Sequence, residues 1–98
     1  MPEEIENVLY QSKMVERAKV VSVRDIEFGK RPVVFIKYVD GFSEIKLRKF
    51  LEKHLLKYKI PDLFLPWQET FEKVLKHSNT LLTKIAQDQF DLFPKKRT

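Results

Sequence analysis

The chain begins with a polar stretch in which apolar residues recur at helical spacing. Ile5, Val8 and Leu9 fall on one face of a helix, and Pro2 stands where helices tolerate proline best. The glutamates between these residues suit the positive end of a helix dipole. The pattern therefore predicts a helix at the start of the chain.

Residues 18–24 and 31–39 follow a different pattern, in which valine and other strand-forming residues predominate. In the second stretch the side chains alternate, so that one face is nearly all apolar and the other is mixed. Gly29 lies in the connecting loop, residues 25–30, and can adopt the positive φ of a tight turn. Together these features predict a β-hairpin.

A second helical pattern begins at Ser43, a residue type that caps helices, and we expect the helix to run to about Tyr58. Its apolar positions form one stripe, which consists of Leu47, Phe50, Leu51, Leu55 and Tyr58. Pro61 ends this helix. Residues 63–65 read as a short strand between two prolines, which favours a position at the edge of a sheet.

The last third of the chain predicts one or two helical turns over residues 70–75 and a final helix that begins at Ser78. The order of elements indicates an α+β fold. We expect a two-layer sandwich, in which helices pack on one face of a small three-stranded sheet made of the hairpin and the short strand. We assign residues 1–87 to this domain. Residues 88–98 are expected to form a loosely attached basic tail, although Phe90 could still dock.

Composition narrows the chemistry available to this domain. Its 98 residues suffice for one domain. With no cysteine, two glycines and two histidines, it lacks the parts of a disulfide framework, a glycine-rich phosphate loop or a metal site. The longest apolar run, residues 33–36, is far too short to span a membrane, and the acidic start lacks a signal-peptide core. We therefore expect a cytoplasmic protein with no membrane partner and no metal ligand.

The net charge of +5 favours anionic partners, but only weakly. Basic residues stand next to aromatic ones, as where Lys57 and Lys59 flank Tyr58. A nucleotide site needs this combination, because the cation meets phosphate and the ring stacks on a base. An ordinary helix end has the same composition, so the residues alone leave both interpretations open.

Three blocks of the sequence have the order and spacing of a known family. They are residues 2–8 (PEEIENV), residues 20–33 (VVSVRDIEFGKRPV), and residues 47–51 (LRKFL) followed by residues 56–61 (LKYKIP). Over roughly residues 2–86 the chain resembles the small C-terminal subdomain of AMP-forming acyl-CoA synthetases, the adenylate-forming ligases. The EFGKRPV segment points to the O-succinylbenzoate branch of that family, which serves menaquinone synthesis.

The resemblance implies a mobile lid in a two-step ligase. Such an enzyme uses ATP with Mg to convert a carboxylate to an acyl-adenylate, and coenzyme A then displaces AMP to form a thioester. The implied partners are a large N-terminal ATP-binding domain of the same ligase and coenzyme A, and nucleic acid is not expected. In this family the small domain closes over the site in one orientation for adenylation and rotates for thioester formation.

The resemblance assigns the catalytic role to Lys76. The family places a lysine just before its last helix, where the cation bridges the attacking carboxylate and the α-phosphate and offsets their repulsion. The family pattern has glycine before this lysine and arginine three residues after it, whereas this chain has Leu75 and Asn79. Lys73 is the alternative if the register differs, and a plain surface lysine also remains open.

The resemblance also implies a coenzyme A site beside the segment that ends in Pro61. Tyr58 matches the aromatic residue that would stack on adenine, and Lys59 matches the basic residue that would meet phosphate. Tyr58 could equally be the last core residue of its helix. Lys30 and Arg31, which we expect at the hairpin tip, are further candidates for cofactor binding.

Two functions of other classes remain open from the sequence. One is a freestanding, small, basic α+β module that binds RNA or a protein partner, although the strands lack the paired aromatic residues of RNA-recognition sheets. The other is a dimerising domain that pairs through residues 63–65. Met1 stands where the family's hinge would precede Pro2. We therefore expect an excised subdomain or a freestanding relative, with no ligase activity of its own.

Overall fold

The computed structural model of the protein describes residues 2–75 and 79–92. These ranges contain four α-helices, three β-strands and one 3-10 turn, which we name the Tyr58 turn. In chain order the elements are α1 (Pro2–Gln11), β1 (Val15–Asp25), β2 (Gly29–Tyr38), α2 (Glu44–His54), the Tyr58 turn (Lys57–Lys59), β3 (Leu63–Pro66), α3 (Phe71–Leu75) and α4 (Thr80–Leu92).

The three strands form one mixed sheet in the order β1-β2-β3. Strands β1 and β2 are the predicted antiparallel hairpin, with a register that runs from Val15 opposite Tyr38 to Asp25 opposite Gly29. Gly29 has a φ of +84°, a region that side chains disfavour, and this lets the chain reverse its direction there. Strand β3 joins β2 in parallel and lies at the edge, as its flanking prolines predicted.

Apolar side chains cover both faces of the sheet. Val34 and its neighbours on one face pack against α1 and α2, while Phe35 and its neighbours on the other face pack against α3 and α4. The α+β class and the three-stranded sheet are confirmed. The expected two layers are wrong, because helices pack on both faces of the sheet and make three layers. Residues 33–36 are at most 2% exposed, so the side chains on both faces of β2 are covered by helices.

Helix α2 is shorter than the sequence predicted. It ends at His54, and Leu55 and Leu56 adopt extended backbone angles before the Tyr58 turn begins. Leu55 is still buried in the core, at 8% exposure. This change of direction removes Tyr58 from the apolar stripe of α2 and brings it to the surface.

Helix α4 continues past the predicted end of the domain. It runs to Leu92, and Phe90 is 6% exposed in the core between α4 and the sheet. The boundary expected after residue 87 therefore falls inside a helix, and residues 88–92 are anchored to the domain by Phe90. The other tail residues, 93–98, lie outside the described residues.

Candidate functional site

An open cavity of about 170 Å³ is lined by all four residues that the sequence analysis predicted for cofactor binding. These residues are Tyr58, Lys59, Lys30 and Arg31. The rest of the wall comes from α1 and the hairpin and consists of Ile5, Val20, Ser22 and Pro32. Residues far apart in the sequence thus meet, because the Tyr58 turn lies against the start of β2.

Tyr58 presents its ring to solvent at the mouth of this cavity. The residue is 62% exposed, so the interpretation that it is the last core residue of α2 is wrong. The ammonium group of Lys59 lies 5.9 Å from the centre of the ring. An aromatic face and a cation at this separation can contact the base and a phosphate of one nucleotide.

Lys59 is engaged by a carboxylate of α1. Its ammonium group donates a hydrogen bond of 2.8 Å to Glu4. This bond raises the pKa of Lys59 above its ordinary value and lowers the pKa of Glu4 below its own. A carboxylate therefore already pairs with Lys59, and an incoming phosphate would compete with it for this ammonium group.

Arg31 lies two residues into β2, opposite Val23, rather than at the hairpin tip. Its guanidinium binds both carboxylate oxygens of Asp62, at 3.0 Å from Nε and 2.8 Å from Nη2. It also donates to the backbone carbonyls of Tyr58 and Ile60. The bond to Asp62 raises the pKa of Arg31. Arg31 therefore lines the cavity with its donors already directed at the protein itself.

Lys30 is exposed at the start of β2, opposite Arg24, and it lines a second and larger cavity as well. That groove, of about 660 Å³, separates the hairpin from α4 and is also lined by Arg24, Lys84, Gln87 and Asp88. Lys84 forms an ion pair of 3.4 Å with Asp88, one turn further along α4. Gln87 both donates to and accepts from the backbone of Arg24, and these two bonds join α4 to β1.

The predicted catalytic residue, Lys76, lies outside the described residues. Its alternative, Lys73, is exposed on α3. This short helix is anchored by Phe71, which is 1% exposed and meets Phe35 and Trp67 edge to face at centroid distances of 4.9 and 5.3 Å. This ring packing fixes helix α3 to the sheet.

Sequence reasoning missed Glu4 and Asp62 as partners in the site. Glu4 meets Lys59 across 55 positions of the chain, and Asp62 meets Arg31 across 31. No local spacing rule covers such distances, because the pairs exist only once the segment with Lys59 and Asp62 is packed against α1 and the hairpin. The one available signal is charge complementarity between segments that the fold places together.

Two further observations concern residues 2–75 and 79–92 as a whole. None of the helices in these ranges has the length and apolar content needed to cross a membrane. Nor do these ranges contain a group of three or more histidine, aspartate or glutamate residues that could hold a metal ion.

Comparison with known proteins places this chain in a family. The family described as AMP-binding enzyme C-terminal domain matches residues 4–77. The protein named 2-succinylbenzoate–CoA ligase of Salmonella typhimurium is 30% identical over 89 residues, which cover 91% of this chain and 19% of that protein. A protein of the same name from a Geobacillus species is 42% identical over 62 residues, which cover 61% of this chain and 13% of that protein.

Solved structures agree with this match. An arginine-to-lysine variant of E. coli MenE with bound OSB-AMS superposes with a TM-score of 0.73 and 28% identity, over 91% of this chain and 19% of that one. The o-succinylbenzoate CoA synthetase of Bacillus subtilis, in complex with the acyl-adenylate OSB-AMP, gives a TM-score of 0.63 and 32% identity, over 67% and 14%. The chain thus spans 19% or less of the length of these relatives. By sequence and by structure, the chain belongs to the AMP-binding enzyme C-terminal domain family.

Proposed function

We propose that this domain is the mobile C-terminal lid of an AMP-forming acyl-CoA ligase whose substrate is o-succinylbenzoate, as in menaquinone synthesis. The family match and the similarity to the Salmonella protein support this proposal. In the first half-reaction the substrate carboxylate attacks the α-phosphorus of ATP-Mg, which gives the acyl-adenylate and releases pyrophosphate. In the second, the coenzyme A thiol attacks the acyl carbon, which gives the thioester and releases AMP.

The small, open cavity at Tyr58 is the observation that carries the proposal for this chain. Its volume of about 170 Å³ is below the ~300–1,000 Å³ of pockets that enclose a whole ligand. A cavity of this size can enclose only one part of a ligand, and the rest of the ligand's surface would lie outside the domain. A cavity of this kind suits a lid that shares its ligand with the face of a second, larger domain.

The chemistry of the cavity fits the nucleotide end of coenzyme A. In this proposal the exposed ring of Tyr58 stacks on adenine, and Lys59 and Lys30 meet phosphate oxygens. A lysine suits this role because its ammonium group can turn toward a phosphate on a flexible stem. On binding, Lys59 would break its ion pair with Glu4 and form one with a phosphate of the ligand.

The adenylation half-reaction requires a different face of the same lid. We assign this face to Lys76, with Lys73 as the alternative. A fixed ammonium group between the two anionic reactants offsets their repulsion and stabilises the charge that develops on the α-phosphate oxygens. Rotation of the lid would then withdraw this lysine and bring the Tyr58 cavity to coenzyme A.

The proposal is tested by joining residues 1–98 to the large domain of the Salmonella ligase, in place of that protein's own C-terminal part. We expect the joined protein to form the coenzyme A thioester of o-succinylbenzoate, and neither this chain alone nor the large domain alone to do so at a comparable rate. Lys76→Ala should remove most of the activity and Lys73→Ala should not; the reverse result would assign the catalytic role to Lys73. Thioester formed by this chain alone would contradict the lid assignment, as would a folded joined protein no faster than the large domain.

A further inference from the structure

We infer that Arg31 and Asp62 act together as a clamp that positions the Tyr58 turn, and that Arg31 does not itself contact the ligand. The inference rests on the proposed coenzyme A site and adds the residues that hold it in shape. It concerns a positioning role, because neither side chain would touch the reacting atoms.

The clamp has the geometry of a strong ion pair. Two parallel hydrogen bonds, of 3.0 and 2.8 Å, join the guanidinium of Arg31 to the two carboxylate oxygens of Asp62. Both side chains are only 13% exposed. The backbone amide of Asp62 donates 2.9 Å to the carbonyl of Pro32, which fixes the carboxylate-bearing residue to β2. Bidentate pairs of this kind define orientation as well as adding energy.

The other donors of Arg31 are directed at the backbone of the Tyr58 turn. Nη1 donates to the carbonyl of Tyr58 and Nη2 to that of Ile60, at 3.3 Å. These two carbonyls stand on either side of Lys59. One guanidinium therefore fixes the backbone of the residues that carry the proposed adenine and phosphate contacts.

The turn needs such support, because its own structure is slight. It is a single 3-10 turn with no buried residue, and it is closed by the amides of Lys59 and Ile60, which donate to Leu56 and Lys57 at 2.9 and 3.2 Å. Short 3-10 segments have poorer hydrogen-bond geometry than α-helices. Holding the turn in place before the ligand arrives reduces the ordering that binding would otherwise require.

The same contacts argue against Arg31 as a phosphate ligand. A guanidinium has five donor hydrogens, and four hydrogen bonds within the protein already use this one. Turning Arg31 toward a phosphate would break both of its hydrogen bonds to the shielded carboxylate of Asp62, which is costly.

The test uses the full chain and coenzyme A itself, followed by amide chemical shifts in NMR and by hydrogen exchange. The variants are Asp62→Asn and Arg31→Lys, and the exposed Arg24→Lys on the neighbouring strand is the matched control. If Arg31 is a clamp, Asp62→Asn speeds exchange at Ile60 and raises the Kd for coenzyme A by about three- to tenfold, the loss expected when side chains must be ordered on binding. Arg31→Lys does the same, because lysine keeps the charge and lacks the fork.

The outcomes separate the possible failures. If Arg31 binds the ligand directly, Asp62→Asn releases it, and coenzyme A then binds as tightly as to the parent or more tightly. That result would overturn the clamp, as would exchange at Ile60 that matches the parent in both variants while the hairpin remains protected. If the parent chain itself gives no saturable shifts with coenzyme A, the proposed coenzyme A site falls and the inference falls with it.

Discussion

Removal of one phenol oxygen is expected to have opposite consequences at two tyrosines of this domain. The hydroxyl of Tyr10 accepts a hydrogen bond of 2.9 Å from the amide of Ala18 and donates one of 3.2 Å to its carbonyl, on the outer edge of β1. The hydroxyl of Tyr38 is buried and has no hydrogen-bond partner within the described residues. The change to phenylalanine thus removes two bonds at one site and an unpaired polar group at the other.

The magnitudes follow from these contacts. A typical hydrogen bond contributes a net ~0.5–1.5 kcal/mol to stability. Because Tyr10 is 46% exposed, water can partly replace its two bonds, and we expect Tyr10→Phe to cost about 1–2 kcal/mol of unfolding free energy. Tyr38→Phe loses no bond and removes a desolvated hydroxyl, so it should be neutral or stabilising by up to about 1.5 kcal/mol.

Urea unfolding of the parent and the two variants measures both effects under one set of conditions. The expected order of midpoints is Tyr38→Phe at or above the parent, and Tyr10→Phe below it with an unchanged slope. A loss of more than about 1 kcal/mol in Tyr38→Phe would contradict this prediction, because it would mean that the hydroxyl has a hydrogen-bond partner. A Tyr10→Phe variant as stable as the parent would show that the edge of β1 is equally well satisfied by water.

Three other perturbations have defined outcomes. Burial raises the pKa of Tyr38 to about 12. The unfolded chain therefore loses this proton at lower pH than the folded chain, and stability should decrease between pH ~10 and 12. The urea midpoint of Tyr38→Phe should not show this part of the decrease. Phe71→Ala should cost about 3–5 kcal/mol in the same assay, since this ring is 1% exposed and anchors α3. Glu4→Gln should tighten coenzyme A binding by about two- to fivefold in NMR titrations, because it frees Lys59, whereas the control Glu3→Gln should not; equal effects of both would indicate general charge alone.

Much of the fold was predictable because its signals are local. The hairpin was predicted from two valine-rich stretches and a glycine whose positive φ the structure confirms. The end of α2 was not, because the apolar spacing continues to Tyr58 while the backbone leaves the helix at Leu55. The second helical layer was also missed, since alternation within β2 shows that a face is apolar and not which element covers it.

The candidate site was predictable only as a set of residues. The sequence nominated Tyr58, Lys59, Lys30 and Arg31 through a family resemblance that the comparisons confirm, and the structure brings them to one cavity. The comparisons give no support to the alternative of a freestanding RNA-binding or protein-binding module. Long-range pairs at the cavity, such as Arg31 with Asp62, could not be predicted, because no spacing in the sequence reveals them.

In the proposed ligase, one lid serves two half-reactions through two separate groups. Pyrophosphate release and thioester formation, measured separately in the joined protein, test this separation. We expect Lys76→Ala to slow pyrophosphate release by about a hundredfold or more. Tyr58→Ala should leave that step within about twofold and raise the KM for coenzyme A in the second step by about tenfold. Equal slowing of both half-reactions by Tyr58→Ala, or an unchanged KM for coenzyme A, would contradict the assignment of Tyr58 to the coenzyme A step alone.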